Sequence, residues 1–473
     1  MNRMYKILWG VVAIGAGLSL TVAAQPMDGL VIYPAPTGAI LSTQYVVKVN
    51  GKPVDVYIAP VWDPPGQSNS FGGPYSFAYF DFAGSVNVEI TTVKPLDRVR
   101  ILPESRGIKP ILKGGTLSFA INKPGQFSIE PDAKNGPLLL FANPLEKNPP
   151  KQGGPGVIYF GPGLHNPGEI KLQDNQTLYI AGGAVVQGGV KAQGTNIRIA
   201  GRGILDGLAW APKKGPTNGI LNMPLCTNAI VEGIIVKDAW DWTLVLRGCR
   251  NVQIDNIKIC SARCGNNDGI DVVNSQQVKI ENCFIRSDDD CITTKGYGWP
   301  ACKPDQNGVA VEDVTASHCI FWTDRAHIWR LGSECWAEAM RRLSFRDIDV
   351  LHWDGPRLLT LEAAEGMPME DILFEDIRVN GAGQSEFIEV NALPTMWIRR
   401  FQTPGSVLNL TFKNIAVTGP APGDTGMIRI TGGDITNIVE GVTFDSVLRY
   451  GARVTRDSPG IQIQSYTTNI VFK

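Results

Sequence analysis

The chain has 473 residues, with 44 basic against 45 acidic side chains and a net charge of -1. No overall field draws it to nucleic acid or to an anionic membrane, and the length exceeds one small core, leaving two domains or one elongated solenoid. The 52 glycines and 32 prolines are spread between apolar runs, the punctuation of a turn-rich β protein rather than the mark of disorder.

Arg3 and Lys6 precede an apolar run from Ile7 to Leu20, and Val22-Ala23-Ala24 then supplies small residues. Residues 1–24 therefore read as a secretory signal peptide whose removal leaves Gln25 first, predicting a secreted or periplasmic protein. The run is shorter than a comfortable membrane span. No later segment could cross a bilayer, so no membrane association is expected after cleavage.

Residues 25–146 read as short strands between turns. Tyr45–Val49 and Val54–Tyr57 flank Asn50-Gly51, a strong hairpin signal. Further strands are expected at Phe77–Phe82, Val86–Val93, Arg98–Leu102, Thr116–Ile121 and Gln126–Ile129, giving a β-sandwich. Residues 147–156, rich in Pro and Gly, are the expected linker.

Residues 157–473 are repetitive. An apolar residue, a polar one, Asp or Asn, and another apolar residue recur at Ile254-Asp255-Asn256-Ile257, Ile280-Glu281-Asn282-Cys283, Phe345-Arg346-Asp347-Ile348, Phe374-Glu375-Asp376-Ile377 and Phe412-Lys413-Asn414-Ile415. Phe444-Asp445-Ser446-Val447 is a weaker copy. The uneven spacing, about 25 to 40 residues, suits a parallel β-helix in which the Asp/Asn marks a bend and its side chain satisfies turn backbone. A leucine-rich repeat would show a tighter leucine period. Ala337–Leu343 is at most a short helix.

All nine cysteines fall between Cys226 and Cys335. An odd count leaves at least one thiol free, and Cys260, Cys283 and Cys319 follow similar strand patterns that predict stacked buried thiols. Cys291 is read as a core residue. The spacing of Cys260 and Cys264 lacks a second pair for zinc, so no metal and no cofactor are expected.

Two acidic clusters stand one coil apart, at Asp268 and at Asp288-Asp289-Asp290. Stacking would gather them on one surface, where crowded carboxylates cannot all keep ordinary pKa values. One protonated and one ionised carboxyl is what glycoside hydrolysis needs. A solvated turn or a calcium site is the plainer alternative for three consecutive aspartates.

Four segments carry a resemblance. Asn266-Asn267-Asp268-Gly269 looks like the Asn-Thr-Asp-Gly motif, Asp289-Asp290-Cys291 matches Asp-Asp-Cys, and His327 with Gly332-Ser333 fits a His-Gly-x-Ser-x-Gly-Ser segment. Arg357-Leu358-Leu359 lies where Arg-x-Lys is expected. In order and spacing these resemble the pectinase-like right-handed β-helix glycoside hydrolases, namely family 28 (polygalacturonases) and the related family 49 (dextranase and isopullulanase). The resemblance covers roughly residues 155–473. The fold it implies is all-β, a right-handed parallel β-helix preceded here by the N-terminal β-sandwich.

The resemblance implies inverting hydrolysis of a polysaccharide. Asp289 would protonate the glycosidic oxygen, and Asp268 with Asp290 would activate water. The family's carboxylates sit closer than the general inverting spacing. Asp288 leaves the frame ambiguous by one residue, which Cys291 settles. Adjacent aspartates share a cleft only where the backbone turns. Asp271 reads as structural. His327 would support the acids; Lys295, Arg330 and Arg357 could bind a sugar hydroxyl or carboxylate.

Departures are Ala326 and Ile328 for the two glycines around His327, Arg330 for the family Ser, and Leu359 for the lysine of the basic pair that grips a substrate carboxylate. The substrate stays open between pectic galacturonan and an α-glucan. Eight of the eleven tryptophans lie between Trp240 and Trp397, and indole faces stack on sugar rings. Trp240, Trp242 and Trp299, in loop-like context, are the candidate substrate contacts. A β-helix polysaccharide lyase and a non-catalytic glycan-binding adhesin are the competing readings.

Overall fold

The computed structural model describes residues 29–63, 70–93, 96, 98–298, 308–381, 386–394, 403–418 and 427–473. The proposed leader, residues 1–24, lies outside them. Among the described residues nearly all regular structure is strand, with one 3-10 turn at Glu104–Arg106.

The N-terminal part forms two sheets. One joins Leu30–Ile32, Tyr57–Ala59, Tyr75–Phe82, Arg100–Leu102, Gly125–Lys134 and Leu138–Pro144; the other joins Tyr45–Val49, Lys52–Val54, Val86–Thr92, Ile111–Lys113 and Thr116–Ile121. The hairpin forms as its residues predict: Val49 pairs with Lys52, and Asn50 and Gly51 both take positive φ, 47° and 75°, the backbone a two-residue primed turn requires. Val47, Val49, Val88 and Ile90 of one sheet meet Phe80, Phe82, Ile129 and Leu140 of the other in a shared core.

Tyr75–Phe82 is buried at all eight positions, which a half-solvated strand could not be. Its second face explains this. Tyr75, Phe77 and Tyr79 pack, with Leu139 and Phe141, on a row of outward residues from the larger domain: Val185, Ile204, Ile235, Cys260, Phe284, Ile320 and Trp322. Arg286 is clamped across the same seam, 4.2 Å from the Tyr75 ring centre and 3.9 Å from that of Trp322.

From Val157 onward, strands pair in parallel, each with its counterpart one coil on, as a right-handed parallel β-helix, apart from a short antiparallel pairing of Leu448–Arg449 with Ala452–Arg453. Three ladders run its length. The one that positions the site stacks Leu221–Pro224, Leu244–Arg247, Ile270–Val273, Ile292–Lys295, Trp329–Gly332, Arg357–Glu362, Glu386–Asn391 and Met427–Thr431. Inward residues form one continuous core. Its far end is a ring stack, Phe345, Phe374, Phe412, Phe444 and Phe472, with centroids 4.8–5.3 Å apart.

The repeat's Asp/Asn position is the bend. Asn256, Asn282, Asp347, Asp376, Asn414 and Ser446 all have φ between 50° and 58°, a conformation Asn and Asp tolerate better than most side-chain-bearing residues. Two expectations need correction. Ala337–Leu343 contains no helix, because Met340 already begins the long strand Met340–Trp353 and turns its side chain into the core. Cys283 and Cys319 lie in the coil interior, but Cys260 faces outward, against the N-terminal sheet. The eight described cysteines are buried free thiols.

Candidate active site

Asn267, fully buried, builds the first half of the site. Its carbonyl oxygen accepts the backbone N–H groups of Arg263 and Cys264, both at 3.1 Å, and its amide donates to the carbonyls of Ala239 and Asp241. This fixes the turn that delivers Asp268. Gly269 then lets two coils touch: a Cβ there would lie 2.4 Å from the Cys291 carbonyl, and its N–H donates to the Asp290 carbonyl at 2.8 Å.

The second half is the bend between Phe284–Ser287 and Ile292–Lys295. The hydroxyls of Ser287 and Thr323 both donate to the Asp289 carbonyl at 2.7 Å, and the Asp290 N–H donates to the Asp289 carboxylate at 3.0 Å. Because the chain turns here, adjacent aspartates point the same way. Carboxylate oxygens of Asp268, Asp289 and Asp290 all lie within 4.8 Å of one another. Asp288 points elsewhere, to Arg325. Three oxygens so placed could also ligate a divalent cation, although one Asp290 oxygen is already engaged by His327.

His327 is buried beside them, and its backbone N–H and ring Nδ1 meet the same Asp290 oxygen at 3.0 and 2.8 Å. Burial opposes ionisation of Asp290, yet the charge and hydrogen bond of His327 hold its carboxyl below the usual range. Asp268 goes the other way: burial, then the charges of Asp271 and Asp289, push it well up. Asp289 is likewise raised, by burial and by Asp290. Of the three it is the one left partly open to solvent.

Asp271, read from the sequence as structural, faces this cluster. It alternates outward between the core residues Ile270 and Val272, and burial raises it to about 7 even though Lys295 counteracts this. Lys295 stands 4.0 Å from Asp271 and 3.4 Å from Glu334, with its ammonium 4.4 Å from the Trp242 ring centre. The period-two alternation of strand Ile270–Val273 was the signal that could have placed Asp271 here.

Arg330 faces outward in the coil after Lys295 and binds Ser333 and Glu362 at 2.8 and 2.9 Å. Arg357 does not reach the acids; it pairs with Glu386 and Glu389. Trp240 is corrected outright. It is 1% exposed, edge-on to Trp210, with its indole N–H donated to the Thr217 carbonyl, so it is a core residue and offers no face to a sugar. Trp242 is half-buried beside Lys295. Trp299 lies outside the described residues. A polar cavity of about 420 Å³ lies between the two domains, lined by Gln126, Glu146, Arg198 and Asn256 among others, and holds none of these residues.

Fold and acid cluster together resemble those of the pectinase-like β-helix glycoside hydrolases. Residues 168–317 match the sequence model of Glycosyl hydrolases family 28, a stretch that includes Asp268, Asp289 and Asp290 but stops short of His327. A polygalacturonase of Medicago sativa is 26% identical over 251 residues, covering 48% of this chain and 56% of that protein. An exopolygalacturonase of Oenothera organensis is 26% identical over 239 residues, 47% of this chain and 62% of that protein. The chain thus spans little more than half the length of these curated relatives.

Among solved structures, Dex49A from Penicillium minioluteum superposes with a TM-score of 0.67 at 15% identity, over 93% of this chain and 96% of that one. A Yersinia enterocolitica family 28 exopolygalacturonase superposes at 0.52 and 13% identity, over 94% of each. At such identities the likeness is one of fold.

Proposed function

We propose that this chain is a secreted inverting glycoside hydrolase acting on a polysaccharide, with Asp289 as general acid and Asp268 and Asp290 activating water. The observation that carries the reading is the split within one cluster: Asp290 held down by His327, Asp289 pushed up and partly open to solvent. A raised carboxyl keeps the proton it must give to the leaving oxygen, and a depressed one stays ionised to take a proton from water. Asp268, pushed up by burial and like charges, keeps its proton and would help orient the attacking water that Asp290 deprotonates, its carboxyl lying within 4.8 Å of the other two. Location outside the cytoplasm rests on the Ile7–Leu20 run; the mature protein should begin at Gln25.

The family match at residues 168–317 and the relatives named as polygalacturonases support glycosidic substrates. A screen of the purified chain on pectic and α-glucan polysaccharides, read as new reducing ends, tests the proposal. Asp289→Asn should lose about 10²- to 10⁴-fold in kcat with an unchanged circular dichroism spectrum. Turnover undiminished in that variant removes the assignment.

A further inference from the structure

We infer that the acid site takes a neutral glycan and rejects a polyuronate, a conclusion that rests on the hydrolase reading above. The outer face of the site ladder carries Asp271, Thr293, Arg330, Thr360, Glu389 and Arg429 in register, each flanked by inward core residues. A site for anionic sugars needs cations here to meet each carboxylate.

Among the described residues, the cations of this face are already engaged by other side chains, most of them carboxylates. Lys295 lies between Asp271 and Glu334, and Arg330 is held by Glu362. Arg357 is held by Glu386 and Glu389, and Arg429 reaches Glu389 at 3.3 Å and Glu386 at 3.7 Å. Arg247, at the upstream edge, donates to Asn222 and lies over Trp242. Leu359, at the position of the resembled family's lysine, points inward and stacks in register with Trp329.

What remains is acidic and neutral. Asp268, Asp289 and Asp290 cluster here with His327 as the close partner of Asp290. The Thr293 and Thr360 hydroxyls, both Asp271 oxygens and one Asp268 oxygen are buried and have no hydrogen-bond partner in the chain. None of these groups is a cation that could meet a sugar carboxylate. A polyuronate would set a negative charge against this surface at every residue, and like charges in contact cost several kcal/mol.

The test compares the full mature chain on polygalacturonate, dextran, pullulan and other neutral glycans, with Asp289→Asn as the blank. The inference expects a kcat/KM at least about 100-fold higher on the best neutral glycan than on polygalacturonate. Cleavage of polygalacturonate at an equal or higher kcat/KM overturns it and leaves the hydrolase reading standing. No release above the blank from any glycan overturns the hydrolase reading and this inference with it.

Discussion

His327 gives both its backbone N–H and its ring Nδ1–H to a single oxygen of Asp290, at 3.0 and 2.8 Å. Two donors on one oxygen stabilise the ionised carboxylate, so it stays deprotonated, and available as a base, down to lower pH. Replacing His327 with Ala removes the ring donor. Asp290 then titrates higher, and the acidic limb of the kcat/KM profile should move to higher pH, with kcat down about 10- to 100-fold. A role confined to packing would lower Tm and leave the limb where it was.

Trp240 and Trp242, two residues apart, should respond in opposite ways. Trp240 is enclosed by the core, and Trp240→Ala should cost about 3–5 kcal/mol of stability, read as a fall in the denaturant midpoint. Trp242 is half-buried beside Lys295. Trp242→Ala should raise KM about 10-fold with little change in the midpoint.

Stability should fall as pH rises through neutrality. Burial raises Asp271 and Asp288 to about 7, and Asp238 and Asp324 to about 6. In the unfolded chain each would titrate near ~3.9. Between these limits the folded state binds more protons, so the stabilisation is complete below the unfolded pKa and is lost as pH climbs past 6 and 7. Calorimetry should give a Tm roughly 2–5 °C higher at pH 5 than at pH 8; a Tm rising over that interval would contradict the burial of these groups.

Much of this was legible in the residues. The hairpin at Asn50-Gly51, the bends at Asn256 through Ser446 and the meeting of Asp268 with Asp289 and Asp290 all follow from local turn chemistry plus stacking. Trp240 misled because its neighbours are polar and turn-forming, while the Trp210 loop that covers it is about thirty residues away. That Asp271 turns to the same side as the acids was not legible, because beginning a strand says nothing about which face a residue takes. The pairing of Arg357 with Glu386 and Glu389 joins coils 29 and 32 residues apart, an offset set by loop lengths that carry no periodic signal.

The acid–base account is tested most directly by the anomeric form of the first product. The three carboxylates lie within 4.8 Å of one another, closer than the roughly 6.5–9.5 Å usual for inverting enzymes and nearer the retaining range. Proton NMR of the sugar released in the first minutes of digestion separates the two courses. Water activated by Asp268 and Asp290 predicts the inverted anomer at once. The retained anomer would mean that one of these aspartates attacks the sugar itself.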